Sequence, residues 1–219
     1  MYKLFYFPNN ASLAPHFLLH YMKLDYELIL VDRQANAQKS KDYLKLNPAG
    51  RIPTLIDNGN PIFESAAICI HLCEQHPQHR LIPELGAAAR PIFFQWLAYL
   101  TNTLQAELMI HYYPHRHTTD ENSIAGILAA QADRIAESLQ IIDTHLVDHQ
   151  YMLGNEISAL DFFLFMLSQW SLPLKTSPLH FTHLANHLQR LARHPSIRAV
   201  CNLENISLKP YEMPNTDNP

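Results

Sequence analysis

The sequence predicts an α/β domain of order βαβ-α-ββα followed by an all-helical domain. Three observations predict it: a strand–helix–strand opening over residues 2–31, an Asn-Gly turn between two short apolar runs at residues 52–63, and no strand-like alternation after residue 90. The expected division is 1–77 for the α/β domain, 78–89 for a linker, 90–211 for the helical domain and 212–219 for a tail.

Tyr2 to Phe7 is aromatic and apolar and stops at Pro8-Asn9-Asn10, as a strand entering a loop does. Ser12-Leu13-Ala14-Pro15 fits a capped helix start with proline in the first turn, where its missing N–H costs nothing; the helix should reach about Met22. Tyr26 to Val31 is a second strand, parallel to the first because a helix connects them. Lys39 to Leu46 reads as a short polar helix, closed by the turn residues Asn47-Pro48-Ala49-Gly50. Ile52 to Ile56 and Pro61 to Phe63 flank Asp57-Asn58-Gly59-Asn60, an antiparallel hairpin signal. Glu64-Ser65 then opens a helix to about His76. Pro77 to Ala89 holds two prolines and a glycine without periodicity, while 90–112, 124–147, 159–172 and 184–193 have helical spacing.

Composition narrows the function classes. Hydrophobic residues at 47% and charged residues at 16% fit a compact globule, and 219 residues can bury a sizeable core. A net charge of −4 without a Lys/Arg cluster argues against nucleic acid as a partner. The apolar start is too short for a secretory leader, and 160–167 is well short of the roughly 20 residues of a membrane span. A cytoplasmic location is expected. Three cysteines, Cys69, Cys73 and Cys201, lack C-x-x-C spacing, which excludes dithiol exchange.

Three motifs in order carry a family resemblance: Lys3-Leu4-Phe5-Tyr6 with Ala11-Ser12-Leu13-Ala14 and His16; Asn47-Pro48-x-Gly50-x-Ile52-Pro53-x-Leu55 with Glu64-Ser65-x-Ala67-Ile68; and Gly154-x-x-x-Ser158-x-x-Asp161. On these the chain resembles the glutathione transferase superfamily, most of all its bacterial beta-type members, over nearly its whole length. The resemblance implies a thioredoxin-like glutathione-binding domain, a helical second domain, a homodimer, glutathione as co-substrate and no metal. A cis Ile52-Pro53 bond would turn the Ile52 backbone toward a peptide ligand as an added strand would. Glu64 and Ser65 at a helix start suit the two charges of an α-amino acid head group. Ser158-x-x-Asp161 reads as a structural capping box.

A thiol of pKa about 8.5 is only roughly 3% ionised at neutral pH, and one hydroxyl plus a helix N-terminus can lower it by about one to two units. Ser12 offers both and is the first candidate; Asn10 is the second, with Asn102 and Gln105 able to reach in from the helical domain. The beta-type pattern has a cysteine where this chain has Ala11 and a histidine where it has Gln105, so a mixed disulfide with glutathione is impossible there. Arg33 is the nearest cation for the glycine carboxylate of glutathione, with Lys39 and Lys41 as alternatives. Leu108, Tyr112, Tyr113 and Trp170 are expected to line a pocket for a small hydrophobic electrophile between the domains.

Fourteen histidines include His111-x-x-x-His115-x-His117, His145-x-x-x-His149 and His180-x-x-His183-x-x-x-His187, spacings that can share a helix face. Pro114 breaks the first group and no carboxylate or cysteine completes a tetrahedral set, so no metal is expected. The reading is a transferase that conjugates glutathione to an electrophile. Glutathione-dependent reduction of disulfides or peroxides, isomerisation, and a non-catalytic protein-binding scaffold are the alternatives.

Overall fold

A computed structural model of the chain describes residues 1–212. Its first part is a four-stranded sheet of order β2-β1-β3-β4, built from β1 (Tyr2–Tyr6), β2 (Tyr26–Leu30), β3 (Thr54–Asp57) and β4 (Asn60–Phe63). β1 and β2 run parallel; β3 is antiparallel to both β1 and β4. The register places Leu28, Leu4, Leu55 and Ile62 opposite one another in a row across the sheet. Strand alternation decides which side each residue serves. Tyr2, Leu4 and Tyr6 join the main core, while Phe5 and Phe7 join a second cluster with Val31, Tyr43 and Ile52. Asn58 and Gly59 both take positive φ, 49° and 83°, as the two central residues of a tight hairpin require.

Helices α1 (Leu13–Tyr21) and α3 (Ser65–Gln75) pack together on the main-core side, and α2 (Lys41–Leu46) lies on the other, capped by the Ser40 hydroxyl, which accepts from Tyr43 N. The segment expected as a linker is packed rather than free. Leu81 and Ile82 are buried, and the Leu81 carbonyl accepts from Ala159 N at 2.9 Å.

The second part is helical: α4 (Ala89–Tyr99), α5 (Gln105–Tyr112), α6 (Ile124–His145), α7 (Ala159–Ser171), α8 (Thr182–Ala192) and α9 (Pro195–Leu203). A π-helical turn at Leu100–Leu104 joins α4 to α5, an irregularity that often accompanies functional sites. α7 is the central element: Phe162, Phe163 and Phe165 are fully buried, each worth about 1.5–3 kcal/mol relative to exposure, and the helix touches α1, α3, α4, α5 and α8. Its start is fixed by Asp161, whose Oδ2 accepts from the Ser158 backbone N–H at 2.7 Å and from the Ser158 hydroxyl at 2.9 Å. Helix α9 is an addition to the sequence reading. Its apolar residues Ile197, Val200 and Cys201 have helical spacing, but its cap is His194, whose Nδ1 accepts from Ser196 N at 3.2 Å, a residue outside the usual Ser/Thr/Asp/Asn set. Among the described residues no helix is long and apolar enough to cross a membrane.

Candidate functional site

The bond Ile52-Pro53 is cis. The loop ahead of it is held from α2. Tyr43 and Asn47 both donate to the Arg51 carbonyl at 2.8 Å, and Lys39 Nζ donates to Ala49 O at 3.1 Å. Gly50 is needed there: its φ is +58°, and a Cβ would come within 2.7 Å of Lys39 Nζ and 2.9 Å of the Gln38 carbonyl. With the loop so pinned, the Ile52 N–H and C=O have no hydrogen-bond partner among the described residues. They are free to pair with an extended ligand.

Beside them, α3 begins without a side-chain cap. Glu64, exposed at the N-cap position, has φ 69°, a left-handed conformation that costs a non-glycine residue on the order of 1–3 kcal/mol and collects at functional sites. Ser65 is buried and donates its hydroxyl to the Ala11 carbonyl at 2.6 Å, which ties the start of α3 to the loop before α1.

That loop is fixed at nearly every residue. The Asn9 N–H donates to Glu204 Oε2 at 2.9 Å, and the Asn9 carbonyl accepts from the Trp170 indole at 3.1 Å. Glu204, just beyond α9, is itself buried and paired through Oε1 with His16 Nδ1 at 2.6 Å; His16 Nε2 lies 3.1 Å from the Tyr26 hydroxyl. Neither Glu204 nor any role for His16 was foreseen in the sequence. The pairing spans 188 residues and sits past the last predicted helix, so only the fold reveals it.

Several expected site residues stand differently. Ser12 is fully buried, and its hydroxyl turns inward, donating to the Phe7 carbonyl at 3.2 Å and accepting from Phe7 N at 3.3 Å. It does not cap α1 with its side chain. Asn10 is less enclosed. It is half-buried; its Oδ1 accepts from Ala11 N at 2.8 Å, and its Nδ2 has no partner among the described residues. Leu108 is fully buried, a core residue rather than a pocket wall. Arg33 reaches to the helical domain, where Nη2 donates to the Tyr113 hydroxyl at 2.9 Å, and its guanidinium lies 5.5 Å from the Phe7 ring. Tyr112, on α5, donates to the Trp170 carbonyl. Asn102 is exposed and accepts from its neighbour Thr101; Gln105 is half-buried, and its side chain forms no hydrogen bond among the described residues. Ser65 and Trp170 thus bond the β1–α1 loop directly, Tyr112 adjoins Trp170, Tyr113 adjoins Arg33, and Ile52 shares a cluster with Phe7.

The cysteines take no part. Cys69 and Cys73 are buried on α3, and burial, reinforced by Glu74, pushes the Cys73 thiol up to about 12.

Residues 1–74 match the family model described as glutathione S-transferase, N-terminal domain, and residues 105–195 match the C-terminal domain of the same family. A glutathione S-transferase of Hypomyces subiculosus, hmp2, is 35% identical over 150 residues, covering 64% of this chain and 69% of that one. The chain belongs to the glutathione S-transferase family. GstA of Escherichia coli O157:H7, also a glutathione S-transferase, is 27% identical over 206 residues, 93% of this transferase and 99% of GstA. Two solved structures superpose with TM-score 0.81, covering 94% of this chain and all of theirs: a beta class enzyme of Sphingomonas chungbukensis at 25% identity and a sphingomonad glutathione S-transferase complexed with glutathione at 26%. The enzyme is a glutathione transferase of thioredoxin-like plus helical architecture, with bacterial beta-type relatives, as its motifs implied.

Proposed function

We propose that this transferase joins the thiolate of glutathione to a small hydrophobic electrophile, with Asn10 rather than Ser12 as the side chain beside the sulfur. The observation that carries the assignment is the contrast in their hydrogen bonding: the Ser12 hydroxyl is spent on Phe7, while the Asn10 carboxamide nitrogen has no partner among the described residues in the loop that opens α1. The N-terminal end of α1 adds its positive dipole to that donor.

The rest of glutathione follows the open backbone groups. Its cysteine residue pairs with the Ile52 N–H and C=O, and its γ-glutamyl carboxylate meets the free N–H groups at the start of α3. The exposed Glu64 carboxylate receives the ammonium. Lys39, over Gly50 in the loop leading to Pro53, is better placed for the glycine carboxylate than Arg33, which is turned to Tyr113. Tyr112, Tyr113 and Trp170 wall the space for the electrophile. Holding thiolate and electrophile together supplies proximity as well as charge stabilisation.

The domain boundary falls within 78–89, and the protein works as a homodimer in the cytosol. Exposed Phe63 on the sheet edge and Ile92 on α4 offer apolar surface for a second copy. Sedimentation at the mass of a single chain would remove the dimer from this reading.

Glutathione titration followed by thiolate ultraviolet absorbance tests the sulfur assignment. Asn10→Ala should raise the pKa of bound thiol by about one unit, equivalent to roughly 1.4 kcal/mol, while Ser12→Ala should leave it in place and lower stability by about 1–3 kcal/mol through the orphaned Phe7 groups. A raised thiol pKa in Ser12→Ala with none in Asn10→Ala would overturn the assignment.

A further inference from the structure

Two arginines from different domains converge on one tyrosine. Arg33, after β2, donates to the Tyr113 hydroxyl at 2.9 Å; Arg116, after α5, stacks on the Tyr113 ring with its guanidinium carbon 4.0 Å from the centroid. Like charges sharing a ring repel, and among the described residues neither arginine pairs with a carboxylate. Arg90, Arg134 and Arg198 each have a glutamate partner, while Arg51, Arg80, Arg190 and Arg193, like this pair, have no carboxylate partner among the described residues; what sets Arg33 and Arg116 apart is that they share one ring.

The acids nearest in sequence are committed to their own loops. Asp32 Oδ1 accepts from Gln34 N at 2.9 Å and Ala35 N at 3.1 Å, and Asp120 accepts from Asn122 N at 3.0 Å and the Ser123 hydroxyl at 3.0 Å. Residues 108–119 contain Arg116 and three histidines and no acid, a basic segment in a chain of net charge −4.

The pair is exposed and bridges the two domains next to the β1–α1 loop. Arg33 also lies against Phe7, which opens the loop that carries Asn10, and Tyr112, beside Tyr113, is bonded to Trp170, which holds Asn9. A molecule bound at this surface therefore meets the Phe7 and Tyr113 rings and two guanidinium groups with unspent donors. We propose that Arg33 and Arg116 receive an anionic group of the second substrate, so that the electrophile is a planar aromatic ring bearing a carboxylate.

The proposal rests on the conjugating reading given above. In the reaction the thiolate sulfur bonds to the ring carbon bearing a halide, the halide leaves with the carbon–halogen electron pair, and the thiol proton has already passed to solvent. A guanidinium–carboxylate contact is a forked, charge-assisted hydrogen bond, and at an exposed surface it weakens with salt.

The test compares a chlorodinitrobenzene with the same ring carrying a carboxylate para to the chlorine. The readout is kcat/KM for each, normalised to its uncatalysed rate with glutathione. The wild-type enzyme should favour the carboxylated ring by roughly tenfold at low ionic strength, with a smaller preference at high salt. Arg33→Gln and Arg116→Gln should each reduce that preference several-fold, and the double variant should abolish it.

No preference in the wild type, or a preference unchanged in the double variant, overturns the proposal. If neither ring is conjugated, the conjugating reading fails, and quenching of tryptophan fluorescence by the carboxylated ring decides the anion site separately. Binding that the double variant loses keeps the site; absence of binding overturns it.

Discussion

The two halves of the proposed glutathione site are built by opposite means. The half that runs from Asn47 to Ser65 is assembled locally: Tyr43 and Asn47 hold the Arg51 carbonyl, and the Ile52 backbone and the start of α3 are left open to a ligand. The half that runs from Phe7 to Ser12 is closed by residues far away in the chain. Ser65, Trp170 and Glu204 each take a backbone group of this loop, the last across 195 residues. The first half presents binding groups. The second half is a loop whose shape depends on the helical domain being folded beneath it, and Asn10 inherits its position from that support.

Separating binding from support should break the comparison most visibly at Glu204. Glu204→Leu removes the acceptor of Asn9 N and leaves His16 buried opposite an apolar side chain. Removing one partner of a buried pair costs about 3–5 kcal/mol, so the urea midpoint should fall sharply and conjugation should fall with it. Glu64→Gln is the matching change in the other half. That side chain is exposed and forms no hydrogen bond among the described residues, so unfolding free energy should move by no more than about 0.5 kcal/mol while glutathione binds more weakly. A Glu64 variant that loses as much stability as the Glu204 variant would erase the distinction between the halves.

The same distinction explains what the sequence could reveal. The succession of strands and helices in the first domain, the Asn-Gly hairpin, the cis Ile52-Pro53 bond, the helix start at Glu64-Ser65 and the Ser158–Asp161 cap are all readable, because each is a short-range pattern with its own physical cause. The direction of the Ser12 hydroxyl is not readable, because position at a helix start does not say where a hydroxyl points. Only the packed loop shows that Phe7 takes it. The burial of Leu108 and the reach of Arg33 to Tyr113 are hidden for the same reason: helical spacing does not separate a core residue from a pocket wall, and a cation after β2 can reach either domain. His16 carried a motif position but no partner, since its partner lies beyond a helix whose histidine cap gave no usual start signal.

That histidine cap supplies the mildest expected effect, and it acts on the same support. His194 Nδ1 accepts from Ser196 N, which requires an unprotonated nitrogen, and the ring lies against Tyr21 with centroids 5.3 Å apart. Burial lowers the pKa of His194 below its usual value. The unfolded chain therefore takes up the proton first as pH falls through about 6.5, and the folded state loses stability on acidification until its own lower pKa is reached. His20, His76, His145 and His187 are lowered too, chiefly by burial, and contribute in the same direction. His194→Asn keeps a capping acceptor but cannot titrate. Urea unfolding followed at neutral pH and again near pH 5.5 should show wild-type stability falling with acid, and the variant falling less, by on the order of 0.5–1 kcal/mol. Equal acid losses in both proteins would mean that the α9 cap does not titrate and that the support under the Asn10 loop is insensitive to pH at this end.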